Sequence, residues 1–244
     1  MDKLNQIIII GGGTSIQEGI SLGLANRLTN KCVIACNFAF NHFPNTFVTC
    51  IDENFYIGKF FNKNDEPVNI NHVNNLKALP LMIAPNKSVI KENKYQNTIL
   101  LKESAGYNSI NCLNKGFYSL ALTGIFSISV AMFLLDYNGT IFLLGYDWTK
   151  RTDEQQKNRD KIDTHYYKNI EHRGIKFTTY YEKHDPSKLM NNFLREKNIK
   201  IYNVSPKSNI TSFEKIDYLT MFATMNDIRY NQDELRIYIK EKLC

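Results

Sequence analysis

The feature that most constrains this chain is a run of isoleucines followed directly by glycines. Residues Gln6–Ile10 read QIIII, and Gly11-Gly12-Gly13-Thr14-Ser15 come next. A β-branched run bounded by glycines predicts a strand that is buried on both faces, and hence a parallel sheet covered by helices. After the glycines, apolar residues recur every four positions: Ile16, Ile20, Leu24 and Leu28. This stripe predicts an amphipathic helix, so the chain opens as a βαβ unit.

The alternation of strands and helices continues along the chain. Further strands are predicted at Cys32–Cys36, Thr46–Ile51, Leu79–Ala84, Thr98–Leu101, Thr140–Leu144 and Lys200–Val204. Because Thr123–Tyr137 is apolar nearly all round and too long for a strand, we expect a buried helix there. Two more helices are indicated, one by Leu189, Phe193 and Leu194, the other by a capping box at Asn231 and Glu234 before the stripe Leu235, Ile239 and Leu243. The predicted fold class is α/β, with a single doubly wound, mostly parallel sheet.

The segment 149–187 differs from the rest, because charged, aromatic and histidine side chains alternate in it. We predict that it forms a charged lid inserted into a single domain that spans residues 1–244. The chain of 244 residues is 43% hydrophobic and 22% charged, which excludes a disordered protein. No apolar run approaches the ~20 residues of a membrane span, and no signal peptide is visible, so we expect a cytoplasmic protein.

Cysteine and charge patterns narrow the function only slightly. The five cysteines have no CxxC spacing, so buried free thiols are favoured over a zinc site, and no metal site is expected. The net charge of +6 suits an anionic ligand, a nucleic acid or an anionic membrane surface and selects none of them, and no strong nucleic-acid signature accompanies it. The sequence leaves the oligomeric state open, a homo-oligomer included.

The glycine loop is the first candidate site. Successive small residues let backbone amides approach a phosphate, although a bare tight turn has the same composition. It is not a P-loop, because no GKS or GKT follows, and Ile16 stands where a dinucleotide fingerprint needs its third glycine.

Polar residues follow three of the predicted strands: Asn37, Asp52 and Asp147. The carboxyl ends of parallel strands meet at one edge, where these side chains can hold a ligand, or they can be caps and turn residues. Tyr146 and Trp148 can either stack on a base or fill the core. A lid histidine can act as a general base, or it can simply be exposed.

Taken in order, five segments resemble one family. They read IIIIGGGTSIQEG (7–19), ACNFAF (35–40), LTGIFSISVAMFLLDYNGTIFLLGYDWT (122–149), THYYKNIEH (164–172) and IKIYNVSPKS (199–208). The series is similar to the family 42 glycosyltransferases, which are the bacterial sialyltransferases, and to the related group built on domain of unknown function 115. The resemblance implies a Rossmann-like, glycosyltransferase-A-like fold. It also implies metal-independent transfer of a sugar from a CMP-linked donor to a hydroxyl of a glycan, lipid or other acceptor.

The resemblance also implies a set of site residues. The nucleotide would be held by Gly11, Gly12, Gly13, Thr14, Ser15, Asn37, Thr123, Gly124, Gly145, Asp147, Trp148, Ser205 and Ser208. His165 would be the general base, with His172 as the other candidate, and Tyr166 or Tyr167 would assist the leaving phosphate. Thr149 stands where the sialyltransferases carry a tyrosine, which leaves the donor sugar open.

Two other functions stay open at this point. In the domain-of-unknown-function 115 group, a magnesium-dependent phospho- or pyrophosphotransferase would use Asp52, Glu53 and Asp147 around the metal. A non-catalytic nucleotide- or nucleic-acid-binding module is the third reading.

Overall fold

The computed structural model describes residues 3–51, 81–85, 97–104, 116–119, 122–147 and 197–244. Within these ranges the strands are β1 Gln6–Ile10, β2 Val33–Cys36, β3 Phe47–Thr49, β4 Met82–Pro85, β5 Thr98–Leu101, β6 Glu103–Ser104, β7 Phe117–Tyr118, β8 Asn138–Leu144, β9 Asn198–Asn203 and β10 Glu214–Lys215. The α-helices are α1 Ile16–Ser21, α2 Leu24–Leu28, α3 Thr123–Leu134, α4 Tyr218–Thr224 and α5 Gln232–Leu243. A short 3-10 helix covers Asn37–Asn41.

Eight strands form one sheet in the order β10-β9-β8-β1-β2-β3-β4-β5, and β6 pairs with β7 separately. Each neighbouring pair in both sheets is parallel. The chain runs outward from β1 to β5 and then returns to the other side of β1 with β8, β9 and β10. The predicted α/β class with a doubly wound parallel sheet is confirmed, and the fold is Rossmann-like.

The isoleucines of β1 explain why this strand lies in the middle of the sheet. Ile7 and Ile9 pack into a core with residues of α3 and α5. Ile8 and Ile10 point to the opposite face and pack with residues of α1, α2 and α4. Because side chains alternate along a strand, a run of isoleucines supplies both cores at once.

The predicted helix with the stripe from Ile16 to Leu28 is wrong as a single helix. It is divided into α1 and α2, because Gly23 adopts a left-handed conformation with φ of 77°. Ile20, near the end of α1, is 51% exposed, while Leu24 at the start of α2 is buried. The helix predicted at 123–137 is also too long, since two consecutive left-handed residues, Asp136 and Tyr137, follow the end of α3.

Other predictions have mixed outcomes. The Asn231 side chain accepts hydrogen bonds from the amides of Asp233 and Glu234, and the predicted stripe of α5 is buried. Cys32, Cys36 and Cys50 are buried free thiols as expected, whereas Cys244 is exposed. The lid at 149–187, the helix around Leu189 to Leu194, Leu79 and Cys112 lie outside the described residues. Within the described ranges, no helix has the length and apolar character needed to cross a bilayer.

Candidate functional site

The candidate site lies at the carboxyl edge of the sheet, where the strand order reverses between β1 and β8. The central strands end there in Gly11, Asn37, Gly145 and Ser205. Helix α3 begins at the same edge, and the Thr123 hydroxyl donates a hydrogen bond to Asn37 Oδ1 at 3.3 Å. In open α/β sheets, ligands bind in the crevice outside this reversal point.

The structure brings together most of the nucleotide-site residues predicted from the sequence. Those at this edge are Gly11, Gly12, Gly13, Thr14, Ser15, Asn37, Thr123, Gly124, Gly145, Asp147, Ser205 and Ser208. Asp52, Trp148, His165, Tyr166 and His172 lie outside the described residues, so their predicted roles stay predictions.

The glycine loop runs alongside the end of β8, and every second amide of the loop donates a hydrogen bond to it. The amide of Gly11 donates to Leu144 O at 2.8 Å, and the amide of Gly13 donates to Gly145 O at 2.9 Å. The amide of Ser15 donates to Asp147 Oδ2 at 2.9 Å. Between them, the amides of Gly12 and Thr14 donate to no partner within the described residues. Among the described residues, the loop therefore offers two unpaired donors at the reversal point.

Close packing explains why the loop needs glycine at position 13. A β-carbon on Gly13 would lie 2.6 Å from the Asp147 carboxyl carbon and 2.6 Å from Gly145 O. Opposite it, Gly145 has a φ of +67°, which favours glycine, and a β-carbon there would lie 2.9 Å from the Gly13 amide nitrogen. The two glycines thus let the loop and the end of β8 approach each other.

Asp147 lies between the glycine loop and the end of β9, and its side chain is largely buried, with the residue 8% exposed. Oδ2 accepts from the Ser15 amide and, at 3.4 Å, from the Thr14 hydroxyl. Oδ1 accepts from the hydroxyls of Ser15 and, at 2.9 Å, Ser205. A carboxylate has about four acceptor positions, so these four hydrogen bonds use its capacity.

The last residue of β9 and the segment after it hold the end of β8 in place. Ser208 donates to Tyr146 O at 2.7 Å, and Asn203 Nδ2 donates to the same oxygen at 3.1 Å. The Asn209 amide donates to Asp147 O at 3.0 Å. Ser205 and Ser208 are buried, and their hydroxyls donate to Asp147 and Tyr146, so in this structure they hold the residues that follow β8.

The first turn of α3 supplies a second group of unpaired donors. No side chain caps this helix, and within the described residues the amides of Thr123, Gly124 and Ile125 donate to no partner. The α3 axis adds a partial positive charge at its N-terminus, equivalent to roughly half an elementary charge. This end of the helix is therefore favourable for an anion that lies in the crevice.

A buried polar network lies beneath that first turn, and the sequence analysis did not find it. Ser127 Oγ donates to Thr123 O at 2.7 Å, and it lies 2.6 Å from Thr49 Oγ1 and 3.1 Å from Cys36 Sγ. Burial raises the pKa of the Cys36 thiol, so the thiol stays protonated. The signal in the sequence was the pair Ser127 and Ser129, which interrupts an otherwise apolar helix.

Tyr146 belongs to the core beneath the site. It is 4% exposed, and its hydroxyl donates to Gly124 O at 3.1 Å. Burial raises the pKa of this phenol well above its ordinary value. Of the two roles that the sequence left open for Tyr146, the structure supports the role in the core. Within the described ranges, no group of three or more His, Cys, Asp or Glu side chains is placed to hold a metal ion.

Of the comparisons with known proteins, the one with solved structures agrees with this fold. No family model matches the chain, and no curated protein matches it. Among solved structures, the MAf glycosyltransferase from Magnetospirillum magneticum AMB-1 is similar to it, with a TM-score of 0.55 and 10% sequence identity. The match covers 98% of this chain and 37% of that protein, so the chain spans little more than a third of its neighbour's length. The described sheet thus has a fold that a glycosyltransferase also uses.

Proposed function

We propose that this chain transfers a sugar from a nucleotide-sugar to a hydroxyl acceptor, and that it does so without a metal ion. The observation that carries the proposal is a pair of donor groups on either side of the reversal point, both without partners in the part of the chain that the structure describes. The amides of Gly12 and Thr14 lie on one side, and the first turn of α3 lies on the other. Nucleotide phosphates are the ligands that such donors favour.

The sugar-transfer class has two supports. One is the similarity of the fold to that of a glycosyltransferase. The other is the order of the sequence motifs, which resembles enzymes that use CMP-linked sugars. We therefore propose a cytidine monophosphate sugar as the donor. The side chain of Asn37, whose Oδ1 already accepts from Thr123, would present its amide nitrogen to the base or ribose.

The reaction needs one proton transfer and one leaving group. In the proposal, His165 removes the proton of the acceptor hydroxyl as that oxygen bonds to the anomeric carbon. The bond between this carbon and the phosphate oxygen breaks, and the nucleotide leaves with the electron pair. The amides of Gly12 and Thr14, assisted by Tyr166, stabilise the charge that develops on the phosphate. His172 is the other candidate for the base.

The hydrogen bonds of Asp147 argue against the alternative function, a magnesium-dependent phosphotransferase. A metal at this carboxylate would have to displace hydrogen bonds from Thr14, Ser15 or Ser205. This cost favours the metal-independent reaction over phosphotransfer at Asp147.

Thermal unfolding with CMP, CDP, UDP, GDP and ATP tests the proposal, each with magnesium or with EDTA. A nucleotide at about 100 times its Kd stabilises the folded state by about 2.7 kcal/mol, which raises the midpoint by several degrees. We expect CMP to give this shift equally with magnesium and with EDTA. A shift with ATP that requires magnesium would instead support the phosphotransferase. No shift with any nucleotide would contradict both.

A further inference from the structure

Asp147 was expected to touch the nucleotide, but its surroundings point to a different task. Its carboxylate accepts four hydrogen bonds, all from the protein. Three come from Thr14 and Ser15 in the glycine loop, and one comes from Ser205 after β9. The carboxylate therefore joins two segments that are separated by nearly the whole chain.

The position of Asp147 is itself fixed from two directions. Its carbonyl accepts from the Asn209 amide at 3.0 Å. The preceding carbonyl, that of Tyr146, accepts from Ser208 at 2.7 Å and from Asn203 at 3.1 Å. The side chain consequently extends from a well-supported backbone, and the loop is the part that it holds.

Holding Ser15 decides which loop amides remain available. Once the amides of Gly11, Gly13 and Ser15 are bonded to the end of β8, those of Gly12 and Thr14 are left without a partner among the residues that the structure describes. If Ser15 were released, its amide would become a third unpaired donor, and the loop would be held against β8 through the amides of Gly11 and Gly13 alone. The carboxylate thereby sets the pattern of donors without contributing one.

We infer that Asp147 is a positioning residue. It fixes the glycine loop through Ser15 and Ser205, and it acts on a bound nucleotide only through that loop. The effect of Asp147 on nucleotide affinity rests on the proposed function. The fixing of the loop does not, because it is a property of the free protein.

Amide hydrogen exchange of the free protein tests the fixing of the loop. Ser205→Ala removes one of the hydrogen bonds to Asp147 Oδ1, and the conservative Asp147→Asn retains an acceptor for the Ser15 amide and a donor for a serine hydroxyl. We expect Ser15 exchange to rise about tenfold in Ser205→Ala and to rise less in Asp147→Asn. The matched control is Ser129→Ala. Ser129 is another buried serine, it lies in α3, and its hydroxyl donates to Tyr118 O at 2.8 Å. Ser15 exchange in the control should equal that of the wild type.

CMP affinity, measured by calorimetry on the same variants, separates positioning from direct contact. Ser205→Ala should weaken binding about fivefold to tenfold, while Asp147→Asn should bind within about twofold of the wild type. If Asp147 instead contacted the nucleotide directly, Asp147→Asn would weaken binding, because its side-chain amide would lack the oxygen that accepts from a ribose hydroxyl. Ser205→Ala would then leave the affinity unchanged. Asp147→Ala combined with Ser205→Ala should bind no more weakly than Asp147→Ala alone.

The two measurements fail separately. If Ser15 exchange in Ser205→Ala matches that of the wild type, the positioning role is wrong, whatever binds. If Asp147→Asn loses CMP affinity while Ser15 stays protected, Asp147 contacts the ligand and the inference is overturned. If the exchange responds as expected but no nucleotide binds the wild type, the fixing of the loop stands and the proposed function fails.

Discussion

Tyr218 packs directly against the α-carbon of Gly19, so that a β-carbon at position 19 would lie 2.4 Å from its ring. Tyr218 is the first residue of α4, and Gly19 lies in the middle of α1. Both residues are buried. Helix α4 therefore reaches the helix that follows the glycine loop only because residue 19 has no side chain.

Gly19→Ala should destabilise the protein by about 1–2 kcal/mol. Overpacking a buried site costs about 1–3 kcal/mol, and alanine returns up to about 1 kcal/mol through its better helix propensity. Urea unfolding measures the change. Gln17→Ala, at an exposed position of the same helix, is the matched control and should be nearly neutral. The cost should shrink in a Tyr218→Leu background, and an equal cost there would mean that the ring is not the obstacle.

Tyr218→Phe should leave stability unchanged or raise it by up to about 1 kcal/mol. The hydroxyl is buried and has no hydrogen-bond partner among the described residues, so its removal deletes an unsatisfied polar group. Burial and the nearby carboxylates of Asp147 and Glu18 raise the pKa of this phenol. The same urea experiment measures the effect. A loss of more than about 1 kcal/mol would show that the hydroxyl has a partner, such as an ordered water.

Gly13→Ala should disrupt the loop and its ligand together. The new methyl group would overlap the Asp147 carboxylate and the Gly145 carbonyl, and the backbone oxygen cannot move aside cheaply. We expect a loss of about 1–3 kcal/mol in stability and at least a tenfold loss of CMP affinity. Calorimetric titration below the unfolding midpoint measures the affinity. Unchanged affinity would mean that the loop does not form the phosphate site.

Alkaline pH should destabilise the protein through Cys32. Burial raises the pKa of this thiol from 9.0 to about 12. Between these values the thiol keeps its proton in the folded state and has lost it in the unfolded state. The free energy of unfolding is therefore unaffected by this thiol below pH 9 and falls as the pH rises toward 12. The contribution is at most about 1.4 kcal/mol per pH unit. The stability difference between the wild type and Cys32→Ala should shrink between pH 9 and 11; a constant difference would contradict the assignment.

His165→Ala should abolish sugar transfer and spare nucleotide binding, because a general base acts on the acceptor and not on the donor. Transfer is measured as CMP release in the presence of donor and acceptor, and binding as the thermal shift with CMP. His172→Ala serves as the comparison and should retain transfer. If His172→Ala is the inactive variant, the base is His172.

The sequence determined the character of the sheet because its signals are local. Four isoleucines in β1 require two apolar faces, and that alone predicts a parallel sheet between helices. The glycine loop, Asn37 and Asp147 were likewise predicted at one edge, because parallel strands end on the same side, whereas Thr123 and Gly124 were expected there from the family resemblance. The stripe of α5 and the cap at Asn231 followed from spacing.

The tertiary structure decided what each of these residues bonds to. Asp147 reads as a ligand residue in the sequence, but Ser15 and Ser205 approach it from 132 and 58 residues away and occupy its oxygens. Ile20 fits an apolar stripe, but it lies on the exposed side of α1, which buries Ile16 and Gly19 instead. A sequence pattern reports the preference of a residue for burial or for a turn. Which donors bond to one carboxylate depends on how β8, β9 and the glycine loop pack against one another in the folded chain.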